Sequence, residues 1–131
     1  MANWFVALPV EAADWLASAL AGAPAGLRPF HPEDLHVTVA FLGDVSEAAA
    51  RAGWEVARAA PAPGAPWAVT LGGLVPMGNP RAPSAIAGRV FGDDRVAAFM
   101  GAARGPAWAA AGAPPDRRPP TPHLTVGRPP R

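Results

Sequence analysis

Proline and glycine interrupt this chain so often that no long element forms without meeting one. Eighteen Pro and 14 Gly sit among 131 residues, about a quarter of the total, close to where composition begins to suggest disorder. Pro locks φ and lacks an amide donor, and Gly punctuates helices and turns. Any fold must therefore be built from short strands and helices joined by turns. The core is limited too. Thirty-two Ala inflate the apolar half, leaving roughly a quarter of the chain as larger apolar residues, enough for one modest core.

Between the breaks the patterns are ordered. Asn3–Leu8 (NWFVAL) reads as a strand stopped by Pro9. Val10–Ala21 carries Val10, Ala13, Leu16 and Leu20 at helical spacing and reads as an amphipathic helix ended by Gly22 and Pro24. Ala25–Asp34 is a Pro-bearing connection. Leu35–Leu42 (LHVTVAFL) alternates, with Leu35, Val37, Val39 and Phe41 on one face and His36, Thr38, Ala40 and Leu42 on the other. Ser46 caps a helix through about Ala59, with Ala49 at the capping-box position. Pro61–Pro66 is a linker. Trp67–Leu74 and Ser84–Phe91 read as strands joined by a loop holding Met77, Asn79 and Arg81. Asp93 or Asp94 caps a helix to about Arg104 or slightly beyond; Gly112–Pro122, with five Pro, is an extended loop; His123–Arg128 is a strand. Short alternating strands with helices suit antiparallel sheet.

The residue inventory excludes much chemistry. With no Cys there is no thiolate nucleophile, disulfide or Cys-based zinc site. With no Lys there is no Schiff base and no P-loop lysine. None of the three Ser lies in a G-x-S-x-G elbow. Any catalysis must come from His, Asp, Glu or Arg. The formal net charge is +1, and only Arg117 and Arg118 are adjacent cations, which argues against a surface that coats nucleic acid. The opening residues lack a basic n-region, and no run approaches the ~18 apolar residues of a membrane span. The expectation is a soluble, cytoplasmic single domain over residues 1–131.

One pattern occurs twice. His36-Val37-Thr38-Val39 and His123-Leu124-Thr125-Val126 share His-x-Thr-Val, 87 residues apart (123 − 36). With four Thr in the chain, two of three His meeting this spacing by chance is roughly a 0.3% event. In a strand, residues i and i+2 share a face, so each motif projects an imidazole and a hydroxyl together. If the two platforms face each other, two imidazoles can serve as general acid and base near neutral pH. Two hydroxyls can donate to the oxygens of a phosphodiester, and Arg128 can add a fixed cation. Other readings are a satisfied surface pair at each motif, or a metal held by His31, His36 and His123, for which no carboxylate has a zinc-motif spacing. His31, in a Pro-flanked loop, reads as exposed and inert. The five Trp and Phe41 read as core, with a rim position still open for Phe41.

These residues resemble the 2H phosphoesterase superfamily, closest to the bacterial and archaeal 2′-5′ RNA ligase / RNA 2′,3′-cyclic phosphodiesterase group. The resemblance rests on Phe5–Pro9 as an opening strand, Pro32–Gly43 (PEDLHVTVAFLG) as the first motif and Pro122–Arg128 (PHLTVGR) as the second. It implies a bilobal α+β fold with two antiparallel sheets facing across a central groove and helices outside. It also implies metal-independent, cofactor-free hydrolysis of an RNA or nucleoside 2′,3′-cyclic phosphate to the 2′-phosphate, with reversible 2′-5′ ligation as an option. On this resemblance His123 activates water, His36 protonates the leaving 3′-oxygen, and Thr38, Thr125 and Arg128 hold the phosphate. RNA ends or cyclic nucleotides are the implied partners. Six residues follow Thr125, fewer than the group's usual sheet beyond the second motif, so a second lobe that is reduced, or completed by another chain, is expected. A non-catalytic nucleotide-binding module and a phosphoesterase for another small diester are the alternatives.

Overall fold

Short strands and helices do form between the breaks. In chain order they are β1 (Trp4–Pro9), α1 (Asp14–Ala21), β2 (Arg28–Pro29), a 3-10 turn (Pro32–Asp34), β3 (His36–Gly43), α2 (Glu47–Arg58), β4 (Thr70–Leu71), β5 (Val75–Asn79), β6 (Ala82–Phe91), α3 (Arg95–Ala111) and β7 (His123–Arg128). The computed structural model describes residues 2–131. The α+β class is the one expected, and each pairing among β2 to β7 is antiparallel. No helix among the described residues is long and apolar enough to cross a membrane.

The chain divides into two compact units. One takes the residues up to Leu8, Thr38–Ala68 and Asp93–Pro122; the other takes Pro9–Val37, Val69–Gly92 and His123–Arg131. The boundary falls inside β3, between Val37 and Thr38.

The first unit contains β1, the later part of β3, α2 and α3. Ser46 Oγ accepts from the Ala49 amide at 3.0 Å and starts α2 as expected. Ala50, Gly53 and Ala57 make its buried stripe, and Ala103, Ala107 and Ala111 make part of the stripe of α3. A Cβ placed on Gly53 would stand 3.1 Å from the Ala107 carbonyl oxygen and 3.3 Å from the Ala111 methyl. Small residues thus let two backbones approach closely, and alanines form much of this core. The helix α3 runs to Ala111, past the expected end near Arg104, with Pro106 inside it. Pro106 removes one helical amide, but burial of Ala107, Trp108 and Ala111 carries the helix on to Gly112, which closes it in the left-handed conformation at φ 66°.

Phe41 departs from the core reading. It is 57% exposed, whereas Ala40 and Leu42 are buried. The alternation of β3 breaks at Val39-Ala40, because Leu42 packs toward α2 near Gly53. Trp54 is also exposed, at 45%, with the Arg58 guanidinium over its ring. Trp108 is buried as expected and donates to the Phe41 carbonyl at 3.1 Å.

The second unit is built on β6 and β7. One edge of β7 carries Val37 of β3 opposite Leu124, then β2 opposite Gly127 and Arg128; its other edge carries β6. The far edge of β6 carries β5 and then β4. Leu35, Val37, Ile86, Val90, Leu124 and Val126 are buried. Several boundaries shift from the sequence reading. The first helix starts at Asp14 rather than Val10, and the Val10 amide donates to the Leu35 carbonyl at 3.0 Å. The strand expected over Trp67–Leu74 shrinks to Thr70–Leu71, cut by Gly72 and Gly73. The Met77–Arg81 loop is instead a hairpin, with β5 paired to β6 and Asn79 Oδ1 accepting the Arg81 amide at its turn.

Candidate active site

His36 stands at the start of β3, directly after the 3-10 turn. Pro32 opens that turn with its missing amide in a harmless position. Leu35 and Val37, each about 2–3% exposed, anchor the backbone on either side. The imidazole between them is half-buried. Its Nδ1 lies 2.7 Å from the Asp34 carbonyl oxygen. A carbonyl only accepts, so Nδ1 carries the hydrogen, and the neutral ring's lone pair is on Nε2.

His123 opens β7 after Pro122 in the same way, with Leu124 and Val126 buried and His123 and Thr125 half-buried. Val37 and Leu124 are antiparallel partners. One step back along β3 and one step on along β7, His36 therefore stands opposite Thr125, on the face away from Val37 and Leu124. His123 lies diagonally from His36, at a Cα separation of roughly 7–8 Å by ordinary sheet geometry. The two motifs are thus joined through neighbouring strands, and both imidazoles and the Thr125 hydroxyl share one face. Thr38 lies two residues beyond His36 in β3, with the same strand parity, and opens the other unit.

Arg128 reaches this face by an irregularity. It is three residues after Thr125, so strict alternation would turn it away. The register with β6 slips between Ile86 and Ala87, which pair with Gly127 and Thr125. Val126 and Gly127 therefore both oppose Ile86, a one-residue bulge, and the next side chain returns to the Thr125 face. Val126 is buried and Arg128 exposed, as this requires. A Cβ on Gly127 would stand 2.5 Å from the Arg28 carbonyl oxygen, so glycine is what lets β2 pair there.

The remaining His is separate. His31 is exposed, and its Nδ1 accepts from the Glu33 amide at 3.1 Å, capping the 3-10 turn. Among the described residues no three of His, Cys, Asp and Glu group closely enough to hold a metal ion.

Two features of the face escaped the sequence reading. The Asp34 carbonyl that holds His36 is a backbone group, and its only sequence signal is the Pro-led turn. Arg89 is the cross-strand partner of His123, which only the register between β6 and β7 reveals. A cavity of about 610 Å³ also opens in this unit, on the face of Leu124 and Val90 beneath Trp15 and Ala19 of α1. It is backed by the strand residues that point away from the imidazoles and is distinct from their face.

Comparison with known proteins follows the same lines. A family model described as LigT-like phosphoesterase matches residues 6–87, more than half of the chain and including the first motif. The RNA 2′,3′-cyclic phosphodiesterase of Geobacillus stearothermophilus is 34% identical over 135 residues, covering 96% of this chain and 41% of that protein. The chain therefore spans less than half the length of that curated relative. Among solved structures, E. coli LigT is similar with a TM-score of 0.66 at 24% identity, over 96% of this chain and 71% of LigT. A Thermus thermophilus protein gives 0.68 at 22%, over 97% and 74%. E. coli LigT in complex with 3′-AMP gives 0.65 at 21%, over 97% and 74%.

Proposed function

The chain belongs to the LigT-like phosphoesterase family, and on that premise we propose that it hydrolyses RNA or nucleoside 2′,3′-cyclic phosphates to 2′-phosphates without a metal ion. The observation that carries the proposal is the Val37–Leu124 bridge, which sets His36, His123 and Thr125 on one face of adjacent strands. The curated relative's name and the 3′-AMP complex of E. coli LigT support a nucleotide as the substrate.

In this reading His123 takes a proton from water as the water oxygen bonds to phosphorus. The P–O3′ bond breaks, and His36, entering the step as an imidazolium with hydrogens on both ring nitrogens, delivers its Nε2 proton to the departing 3′-oxygen. The 2′-phosphate and a free 3′-hydroxyl result. The Asp34 carbonyl fixes the His36 ring through Nδ1 and leaves Nε2 to carry the transferred proton. Thr125 and Thr38 donate hydroxyl hydrogens to the non-bridging oxygens as charge develops there. Arg128 supplies a fixed cation to the same oxygens. A 5′-hydroxyl in place of water would give a 2′-5′ linkage by the same two proton transfers.

The test is turnover of a panel of 2′,3′-cyclic nucleotides and cyclic-ended RNA with chelator present. Wild type is expected to yield 2′-phosphates at undiminished rate. His36→Ala and His123→Ala should each lose at least ~10²-fold in kcat, the usual scale for removing a general acid or base. Full activity in both variants would sink the assignment, and loss of activity on chelation would sink the metal-free mechanism.

A further inference from the structure

The ten acidic residues of this chain all lie in helices, turns and loops; none falls in a strand. The strands carry the opposite charge. Arg28, Arg89 and Arg128 join the two imidazoles there, so the sheet's charged side chains are uniformly cationic or protonatable.

Among the described residues neither Arg89 nor Arg128 makes a side-chain hydrogen bond or ion pair, whereas Arg28 does. Arg28 Nε donates to the Pro129 carbonyl at 2.9 Å and ties down the chain beyond β7. Arg128 follows the bulge beside the motif. Arg89 is exposed and makes no ion pair with a carboxylate among the described residues. It is the Cα partner of His123. Directly opposite residues share a face with Cβ atoms about 4.5–5.5 Å apart. The guanidinium therefore stands on the imidazole face, one strand further from His36 than His123 is. Phe91, two residues along β6, shares that face and is 50% exposed. A cation and an exposed ring side by side match the two handles of a nucleotide, its phosphate and its base. A 2′,3′-cyclic phosphate carries one negative charge, which Arg128 answers in the mechanism above.

We propose that Arg89 and Phe91 form a second nucleotide subsite on β6, Arg89 holding a phosphodiester next to the reacting phosphate and Phe91 stacking on its base. The proposal rests on the hydrolase reading only for the position of the reacting phosphate. It makes the chain prefer a substrate of two or more nucleotides over a mononucleotide.

Binding of inert products tests it without requiring turnover. Calorimetry would compare a dinucleotide ending in a 2′-phosphate with a mononucleoside 2′-phosphate. Wild type should bind the dinucleotide more tightly. Arg89→Ala should weaken the dinucleotide about tenfold and the mononucleotide less than threefold. It should also make the log–log salt slope for the dinucleotide shallower by about 0.7, one phosphate contact on a single strand. Phe91→Ala should weaken the dinucleotide selectively and Phe91→Trp should preserve it. Arg117→Ala, which removes an exposed cation from the 112–122 loop, should leave both ligands unaffected. Equal loss for both ligands, or none for either, in Arg89→Ala would overturn the subsite. Turnover of the cyclic forms is read separately: a wild type that binds with this preference but hydrolyses neither would sink the hydrolase reading and leave the subsite standing.

Discussion

His31 and His36 are five residues apart and are held in opposite ways. The Nδ1 of His31 accepts a backbone hydrogen from Glu33, whereas the Nδ1 of His36 gives one to the Asp34 carbonyl. One ring caps a turn through Nδ1, and the other is oriented by the hydrogen bond that its Nδ1 makes to the carbonyl. Composition makes these two residues equal, and the local backbone separates them. The motif's i, i+2 spacing gives Thr38 the same strand parity as His36. Arg128 is different, because its orientation depends on the bulge at Val126-Gly127. Gly127→Ala should therefore act at a distance from any substrate. Its methyl would meet the Arg28 carbonyl oxygen at 2.5 Å and the Pro29 Cα at 2.9 Å, both backbone atoms that cannot step aside. The expected result is a destabilisation of about 1–3 kcal/mol, the usual cost of overpacking, read as a lower midpoint in urea.

Elements were legible where one pattern ran unbroken, as in the Ser46-capped helix and the two motif strands. They were misread where a local signal met a tertiary one. Pro106 and Gly105 look like a helix end, yet α3 continues because Ala107, Trp108 and Ala111 have a buried surface to fill. Gly72 and Gly73 shortened β4, and the Pro80-Arg81 turn made a hairpin from an expected loop. The Pro-rich segment from Gly112 to Pro122 is extended as read, but it is fastened. Arg118 grips Asp116 with a guanidinium nitrogen 2.7 Å from Oδ2, and Arg104 Nη2 donates to the Arg118 carbonyl at 2.6 Å. The Arg118 side chain first, then its backbone amide, lowers the Asp116 carboxyl from 3.8 to about 2. A carboxyl held low in the fold stabilises it above the unfolded value and ceases to do so as pH falls through the folded one. The stability difference between wild type and Arg118→Ala should thus be constant above about pH 4 and shrink towards pH 2. Thermal melts across that range would show it; a difference that persisted unchanged at pH 2 would mean the pair does not fasten the loop.

At the scale of the molecule, a net charge of +1 conceals a division of labour. Acids occupy helices and loops, while the strands hold cations and imidazoles. On the proposed function, the attraction for an RNA end is local to the sheet and involves few phosphates. The KM for a cyclic-ended oligonucleotide should follow salt with a log–log slope no steeper than about 2, three arginines at roughly 0.7 each. A much steeper dependence in steady-state kinetics would point to an extended binding surface that net charge argues against.

Composition and local spacing settle the available chemistry and the pairing of each imidazole with a hydroxyl. Both are local properties: which residues exist, and which share a face at a spacing of two. Packing between distant segments settles the rest: that Val37 meets Leu124, that Arg89 stands beside His123, that a bulge turns Arg128 back, and that Phe41 and Trp54 face outward. Those facts depend on register between strands far apart in the chain, where one residue of slip exchanges the faces of a strand. No periodicity within a single segment encodes that choice.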